Sequence, residues 1–401
     1  MNSVRRAVLP AAAVIAMTAM AGPAQAAITA QPGSLAAGRP AATSPTLWAW
    51  GDNPWGQLGN GTTTTAMIPG AVTLPPGVTV TGVAGGLNHG LAVTSTGGVL
   101  SWGKNFRGAL GDGTQAGSKT PVSVEIPAGV KVTAVRAGCS DSLALTAAGQ
   151  LLAWGQNPYG ELGTGTKTGS DVPVPVTLPP HTSIAEISAG CFTNVALTST
   201  GRVLQWGRRL GDQAGGSVGH VPTFVRFPAK VTITSIAAGP EEAYAVSSTG
   251  QVYVWNAGRP FRVPMPPKSK FGTITQVSTT DFNSLGLTSR GIVLTWNATS
   301  LTDDPNPAPP VVPVRVLIPP NLKVTAIAAD GPALEGTTYY ALTSNGQVYA
   351  WGSDFDGALG DGGGPDTNVP LRVEIPAGLT PTAIAAGGYG PTPFAFAVTR
   401  P

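Results

Sequence analysis

Residues 132 to 180 read VTAVRAGCSDSLALTAAGQLLAWGQNPYGELGTGTKTGSDVPVPVTLPP, and this stretch decides the fold. Val132 to Gly138 is a short run of apolar and small residues. Ser142 to Thr146 is a second such run, closed by an Ala-Ala-Gly turn, and Gln150 to Trp154 is a third. Val172 to Leu178, rich in Val and Pro, suits an outer edge strand, whose outward N–H groups need no partner. Four short antiparallel strands per unit describe one blade of a β-propeller.

Outward from this unit, its third strand recurs. GGVLSWG ends at Gly103, GQLLAWG at Gly155, GRVLQWG at Gly207, GQVYVW at Trp255, GIVLTW at Trp296 and GQVYAWG at Gly352. Counting Trp50, seven tryptophans (Trp50, Trp102, Trp154, Trp206, Trp255, Trp296 and Trp351) stand 52, 52, 52, 49, 41 and 55 residues apart. A period in this range means a repeat architecture. The expected fold is all-β: a seven-bladed propeller with four antiparallel strands per blade. Core packing between blades accounts for all seven tryptophans at once, which an aromatic ligand box would not.

The chain ends predict how the ring closes. LWAWG from Leu47 is a third strand with no first or second before it. PTAIAAG from Pro381 and FAFAVT ending at Thr399 are a first and second strand with nothing after them. One blade built from both termini completes the ring and removes exposed sheet edges. Small residues at Ala84-Gly85-Gly86, Ala137-Gly138, Ala189-Gly190, Ala237-Ala238-Gly239 and Ala385-Ala386-Gly387 suit the inner strands, where blades converge. A sealed ring of this kind predicts a monomer.

Residues 1 to 26 have the pattern of an export signal. Arg5 and Arg6 precede an apolar run from Ala7 to Met20, and Ala24-Gln25-Ala26 forms a cleavage pattern. The run is shorter than the roughly 20 residues a membrane span needs. Residues 27 to 45 read as a flexible leader, and 46 to 401 as the propeller. The expectation is a secreted chain with no membrane anchor. Without Arg5 and Arg6, 21 basic residues face 20 acidic ones, and no basic cluster interleaves with aromatics. Nucleic acid is therefore not an expected partner. With 54 Gly and 38 Pro and only 11% charged residues, the composition favours short strands and tight turns.

The repeat resembles that of the regulator of chromosome condensation family. Its N-x-x-G-x-L-G-x-G element occurs at Asn53 to Gly61, Asn105 to Gly113 and Asn157 to Gly165, and residues 354 to 362 differ in having Asp354 for Asn. After Trp206 the segment shortens to RRLGDQAGG, and after Trp255 and Trp296 the element is absent. The resemblance covers roughly residues 46 to 400 and implies a propeller that works by protein recognition. Export excludes the nuclear exchange role known in the family. A secreted, propeller-type β-lactamase inhibitor protein offers a more distant analogy, in keeping with bacterial export. Its repeats are shorter, so no contact residue carries over.

Chemistry is sparse. His89, His181 and His220 lie outside metal-ligand spacing of one another, and His89 falls in a turn where this family often carries His. G-x-L-G-x-G recurs without the following Lys or helix a phosphate loop requires. Asp361 to Asp366 reads as a flexible turn in preference to a calcium loop. No cofactor or metal is expected. Cys139 and Cys191 are 52 residues apart, one repeat, and so occupy equivalent positions in adjacent blades. Export supplies an oxidising setting, and a bridge between them is expected.

The turns joining first to second strands open on one face. Leu87, Asn88, His89, Asp141, Phe192, Glu241, Glu242, Asp281, Phe282, Glu335 and Tyr389 are the candidate binding residues there. The acids among them would suit a basic partner protein. The alternative is a propeller hydrolase or lyase acting on a glycan or lactone, with Asp141, Glu241 or Glu242 as acid and base.

Overall fold

The computed structural model describes residues 13–14, 46–208, 217–240, 242–256, 259–280, 283–297, 312–330, 336–388 and 392–400. The leader and most of the signal-like segment lie outside these. Seven antiparallel sheets form the blades, and in all but the closing Trp50 blade the four blade strands run in chain order from the inner to the outer one. Each blade is named here by its repeated tryptophan. The Trp154 blade consists of Val132–Ala137, Asp141–Thr146, Leu151–Gly155 and Ser170–Pro175. Its outer strand lies earlier than the sequence suggests, because Thr177 turns away and donates its N–H to the Gly163 carbonyl at 2.9 Å.

The other blades repeat this plan. In the Trp102 blade the first three strands are Val80–Gly85, His89–Thr94 and Val99–Gly103, with Ser118–Ser123 outermost. The Trp206 blade runs from Ile184–Ala189 out to Ser217–Phe224, so His220 belongs to its outer strand. In the Trp296 blade a two-residue strand, Ala13–Val14, pairs with Thr279 and Thr280 of the inner strand.

Closure follows the expected route. Thr46–Gly51 pairs antiparallel with Phe394–Arg400, with Thr46 opposite Thr399 and Gly51 opposite Phe394. Phe394–Arg400 pairs in turn with Thr380–Gly387, which is the inner strand of the Trp50 blade. The small inner-strand residues are needed at the axis. A Cβ on Gly85 would lie 2.6 Å from the Ala386 carbonyl oxygen of the neighbouring blade.

The core lies between blades. Every repeated tryptophan is buried, from 0% exposed at Trp50 to 5% at Trp351. Trp102 meets Phe396 of the preceding blade edge-on at 5.5 Å, and Trp50 meets Tyr340 at 5.9 Å. These T-shaped contacts set the ring edge against the neighbour's face, the favoured aromatic geometry.

Where it is complete, the glycine element joins one blade to the next. Asn157 Oδ1 accepts from the Leu162 N–H at 2.9 Å, while its Nδ2 donates to the Thr166 and Thr168 carbonyls at 3.1 and 2.8 Å. The loop so shaped offers the Glu161 carbonyl to the Trp206 indole N–H at 2.7 Å. It also sends the Gly165 N–H to the His220 carbonyl at 2.8 Å. The same links run from Ala109 to Trp154 and from Ala358 to Trp50, so the last crosses the seam between the chain ends. In the Trp206 blade the element is cut short. There the Gln205 side-chain oxygen accepts from Trp255 Nε1 at 2.7 Å.

Candidate functional site

In a four-stranded antiparallel blade, the first-to-second turn and the third-to-outer loop emerge on the same side. Backbone hydrogen bonds tie them together: Lys104 N–H to Asn88 O at 2.8 Å, Gln156 to Ser140 at 2.8 Å and Arg208 to Phe192 at 2.7 Å. The glycine-element loops therefore crowd the rim that the sequence assigns to the turns alone.

Several candidate binding residues are withdrawn from that rim. His89 is 1% exposed, Asp141 2% and Glu242 8%. Register explains this: His89 and Asp141 open the second strands, so their side chains point into the wall between blades. His89 Nε2 lies 3.0 Å from Ser142 Oγ in the next blade. The Ser142 hydroxyl donates onward to the Ala109 carbonyl at 2.9 Å, which leaves the imidazole N–H as the donor to it. Burial pushes the His89 pKa down to about 4, and the ring is neutral.

Asp141 is held in the next wall, between the Trp154 and Trp206 blades, where the Asn194 amide donates to it at 2.9 Å. Burial, with Glu161 nearby, raises its carboxyl well above the usual range. Glu242 accepts from the Tyr244 hydroxyl at 2.8 Å. Buried in the walls, Asp141 and Glu242 do not present their carboxyls on the face, which removes their support for a basic partner. They also face no open cleft as an acid–base pair. Leu87, Asn88 and Phe192 stay partly exposed. Glu241, Asp281, Phe282, Glu335 and Tyr389 lie outside the described residues.

Cys139 and Cys191 are joined as a disulfide, with Cα atoms 4.4 Å apart across adjacent blades. The bridge pins two neighbouring turns together beside the axis.

The exposed feature of the face is aromatic. Trp55, Phe106 and Phe355, all within glycine elements, are 48%, 47% and 45% exposed. Tyr159 fills the same part of the Trp154 blade and meets Phe192 edge-on at 5.6 Å. Lys104 Nζ sits 3.9 Å over the Trp55 ring, within cation–π range, and the Arg208 guanidinium lies 5.2 Å from the Phe192 centroid. A cleft of about 1200 Å³ opens among the loops of the Trp50, Trp102 and Trp154 blades, walled by Trp55, Lys104, Phe106, Arg107, Lys167 and Asp171 among others. A smaller hollow of about 180 Å³ adjoins it, between Leu87, Asn88, Cys139 and Phe106. The sequence signal for this site was an aromatic inside each complete glycine element, masked by the element's structural role.

Asp361 accepts from the Gly363 and Gly364 N–H groups at 3.2 and 3.3 Å, so it shapes its own turn. Among the described residues no group of three or more His, Cys, Asp or Glu could hold a metal ion. No helix among them is long and apolar enough to cross a membrane.

The RCC1-like domain family matches residues 46–390. The ultraviolet-B receptor UVR8 of Arabidopsis thaliana is 26% identical over 329 residues, covering 82% of this chain and 64% of that protein. The mitochondrial RCC1 domain-containing protein RUG3 of the same plant is 31% identical over 351 residues, covering 82% and 66%. The chain thus spans less than two thirds of either relative. Human WBSCR16 shares the fold with a TM-score of 0.72 at 21% identity, over 89% of this chain and all (100%) of that one. Prp20p of Saccharomyces cerevisiae does so with a TM-score of 0.70 at 21% identity, over 89% and 92%. With a seven-bladed ring, a shared terminal blade and the glycine element all in place, the chain belongs to the RCC1-like domain family.

Proposed function

We propose that this chain is a secreted, non-catalytic recognition module that binds a protein through the loop-bearing face of the propeller. The observation that carries this is the set of exposed aromatics, Trp55, Phe106 and Phe355, held by rigid glycine elements on one side of the ring. Large aromatics on a fixed frame lose little entropy on binding and dominate the energetics of protein interfaces. Solved relatives accord with such a role, since Prp20p is described with binding properties towards Gsp1p and histones, and with Kap60. The export pattern of residues 1–26 supports action outside the cell, where inhibition of a partner enzyme is one form recognition could take.

The test is capture of a partner from culture medium by the wild-type chain and by Trp55→Ala, Phe106→Ala and His181→Ala. His181 sits in the loop between two blades, on the opposite face. Retention of one protein in stoichiometric amount, lost with the first two substitutions and kept with the third, is the expected result. Capture that ignores all three substitutions overturns the assignment of the face. Sequencing of the N-terminus of protein from the medium checks export, which predicts a start at Ala27.

A further inference from the structure

The recognition reading leaves the partner's chemistry open, and the cleft beside Lys104 narrows it. We propose that this cleft and its adjoining hollow take an acidic segment of a partner protein that carries one apolar side chain. The inference rests on the recognition reading and specifies one site within it.

Charge is the first argument. Lys104, Arg107 and Lys167 line the cleft, against Asp171 as the one acidic residue of its wall. The acids once expected to give this face negative charge are buried or outside the described residues. A carboxylate arriving between Lys104 and Arg107 meets two donors of the right sign at a partly water-excluded wall, where charge-assisted hydrogen bonds are strong.

Shape is the second. Lys104 and Phe106 belong to both the cleft and the hollow, so an occupant bridging the two has charge on one side of that wall and an apolar group on the other. The hollow is lined by Leu87, Ala109 and the Cys139 half of the disulfide, and it suits a single side chain. At its wall the Asn88 Oδ1 atom is buried and accepts no hydrogen bond. A backbone N–H of a bound segment would satisfy it.

Backbone strain is the third. Arg107 stands in the left-handed region at φ 56°, which non-glycine residues rarely adopt. Asp356 of the Trp351 blade shares this conformation at φ 51°, whereas Trp55 and Tyr159, at the same place in the Trp50 and Trp154 blades, have no positive φ. Of these two strained places, the one in the Trp102 blade presents a positive charge to the cleft.

A nucleic acid fits less well. The Trp55 ring is already covered on one side by Lys104 at 3.9 Å, and Asp171 interrupts the positive wall. Neither favours stacked bases on a continuous basic track.

The test uses the full secreted chain and a fluorescein-labelled peptide with one Phe flanked by Asp and Glu, read by anisotropy. Controls replace its Phe by Ser or its acids by Lys, and an oligothymidylate probes nucleic acid. The acidic Phe peptide should bind roughly tenfold more tightly than either peptide control, and Lys104→Glu should weaken it by a further factor of about ten. Arg107→Gly should weaken binding about threefold while holding or raising the thermal midpoint, so a folding defect cannot produce the result. No measurable binding of the acidic peptide, equal binding of the basic one, insensitivity to Lys104→Glu, or preference for the oligothymidylate overturns the proposal. If the acidic peptide fails while Trp55- and Phe106-dependent capture of a protein persists, the recognition reading stands and only this assignment of the cleft falls.

Discussion

The Trp102 indole N–H donates to the Gln57 carbonyl at 2.8 Å, across the boundary between two blades. Gln57 lies in the glycine element of the preceding blade, so the element serves less to turn its own chain than to receive its neighbour's tryptophan. The indole fills the wall with apolar surface, and its one polar group would otherwise be buried without a partner. That double role explains why tryptophan and glycine element recur together. It also explains why Trp255, which follows the shortened element, takes its acceptor from the Gln205 side chain.

Gly111 measures this coupling. Its φ of 67° is left-handed, and a Cβ there would stand 2.6 Å from Trp154 Nε1. Gly129 has a similar φ of 80° but nothing within 4 Å of an added Cβ. Gly129→Ala should cost about 1 kcal/mol of backbone strain alone. Gly111→Ala should cost at least about 2 kcal/mol more, because the neighbouring tryptophan must move. Urea midpoints of the two variants, compared with wild type, check the difference. Equal losses would mean that the ring yields at this boundary without strain.

Asn157 and Asp354 hold the same place in two elements. Asn157 both accepts and donates, whereas Asp354 only accepts, from the Leu359 N–H at 2.8 Å. Burial, followed by neighbouring carboxylates at Asp361 and Asp366, raises the Asp354 pKa. Asn157→Ala should cost about 2 kcal/mol by orphaning buried backbone groups. Asp354→Asn should instead stabilise, by about 0.5–1 kcal/mol at pH 7, by restoring an amide donor and removing a repelled charge. A fall in thermal midpoint for Asp354→Asn would show that Asp366, which accepts from the Asp354 N–H at 2.8 Å, has already adapted the loop to aspartate.

The architecture was legible in the sequence because each interblade wall demands the same residues: a tryptophan, a small inner strand and a glycine element. Seven walls write that demand seven times, and faults in three blades do not hide it. Side-chain direction at the rim was not legible in the same way. Whether Asp141 closes a turn or opens a strand is a matter of one residue, and that residue decides between solvent and the interior. The structure pairs Asp141 with Gly155 as the first rung of the ladder, which turns the carboxyl inward. The aromatic tips were visible as letters, but their shared face follows only from the strand directions within a blade.

Glu161 makes stability depend on pH. Burial raises its pKa from 4.5 to about 7, and Glu161 in turn raises that of Asp141. Its folded pKa lies above its unfolded one, so its favourable contribution is complete below about pH 4.5. That contribution is lost as pH rises through about 7, since the native state then binds the extra proton no longer. Glu186, also raised by burial to about 7, acts in the same sense. His89, lowered to about 4, acts oppositely between its unfolded pKa of 6.5 and that value, so the clean window lies above pH 6.5. Gln57 occupies the position of Glu161 in the Trp50 blade and shows that the loop accommodates an amide. Glu161→Gln should therefore raise the urea midpoint at pH 8 and reduce the decline seen between pH 6.5 and 8. An unchanged slope would place the titration elsewhere.

The Cys139–Cys191 bridge joins turns 52 residues apart in sequence, one blade from the next. A cross-link closing a loop of that length restricts the unfolded chain and is worth about 2–4 kcal/mol. The folded ring needs it less, since the Ala109 and Glu161 carbonyls already tie this run of blades together through Trp154 and Trp206. The double variant Cys139→Ala, Cys191→Ala should thus fold with its propeller intact and lose stability within that range, as urea unfolding with and without reductant would report. Wild type under reductant should match it. Because Cys139 also lines the hollow beside Phe106, a loss of peptide binding at full folding would assign the bridge a second task, holding the hollow open for its occupant.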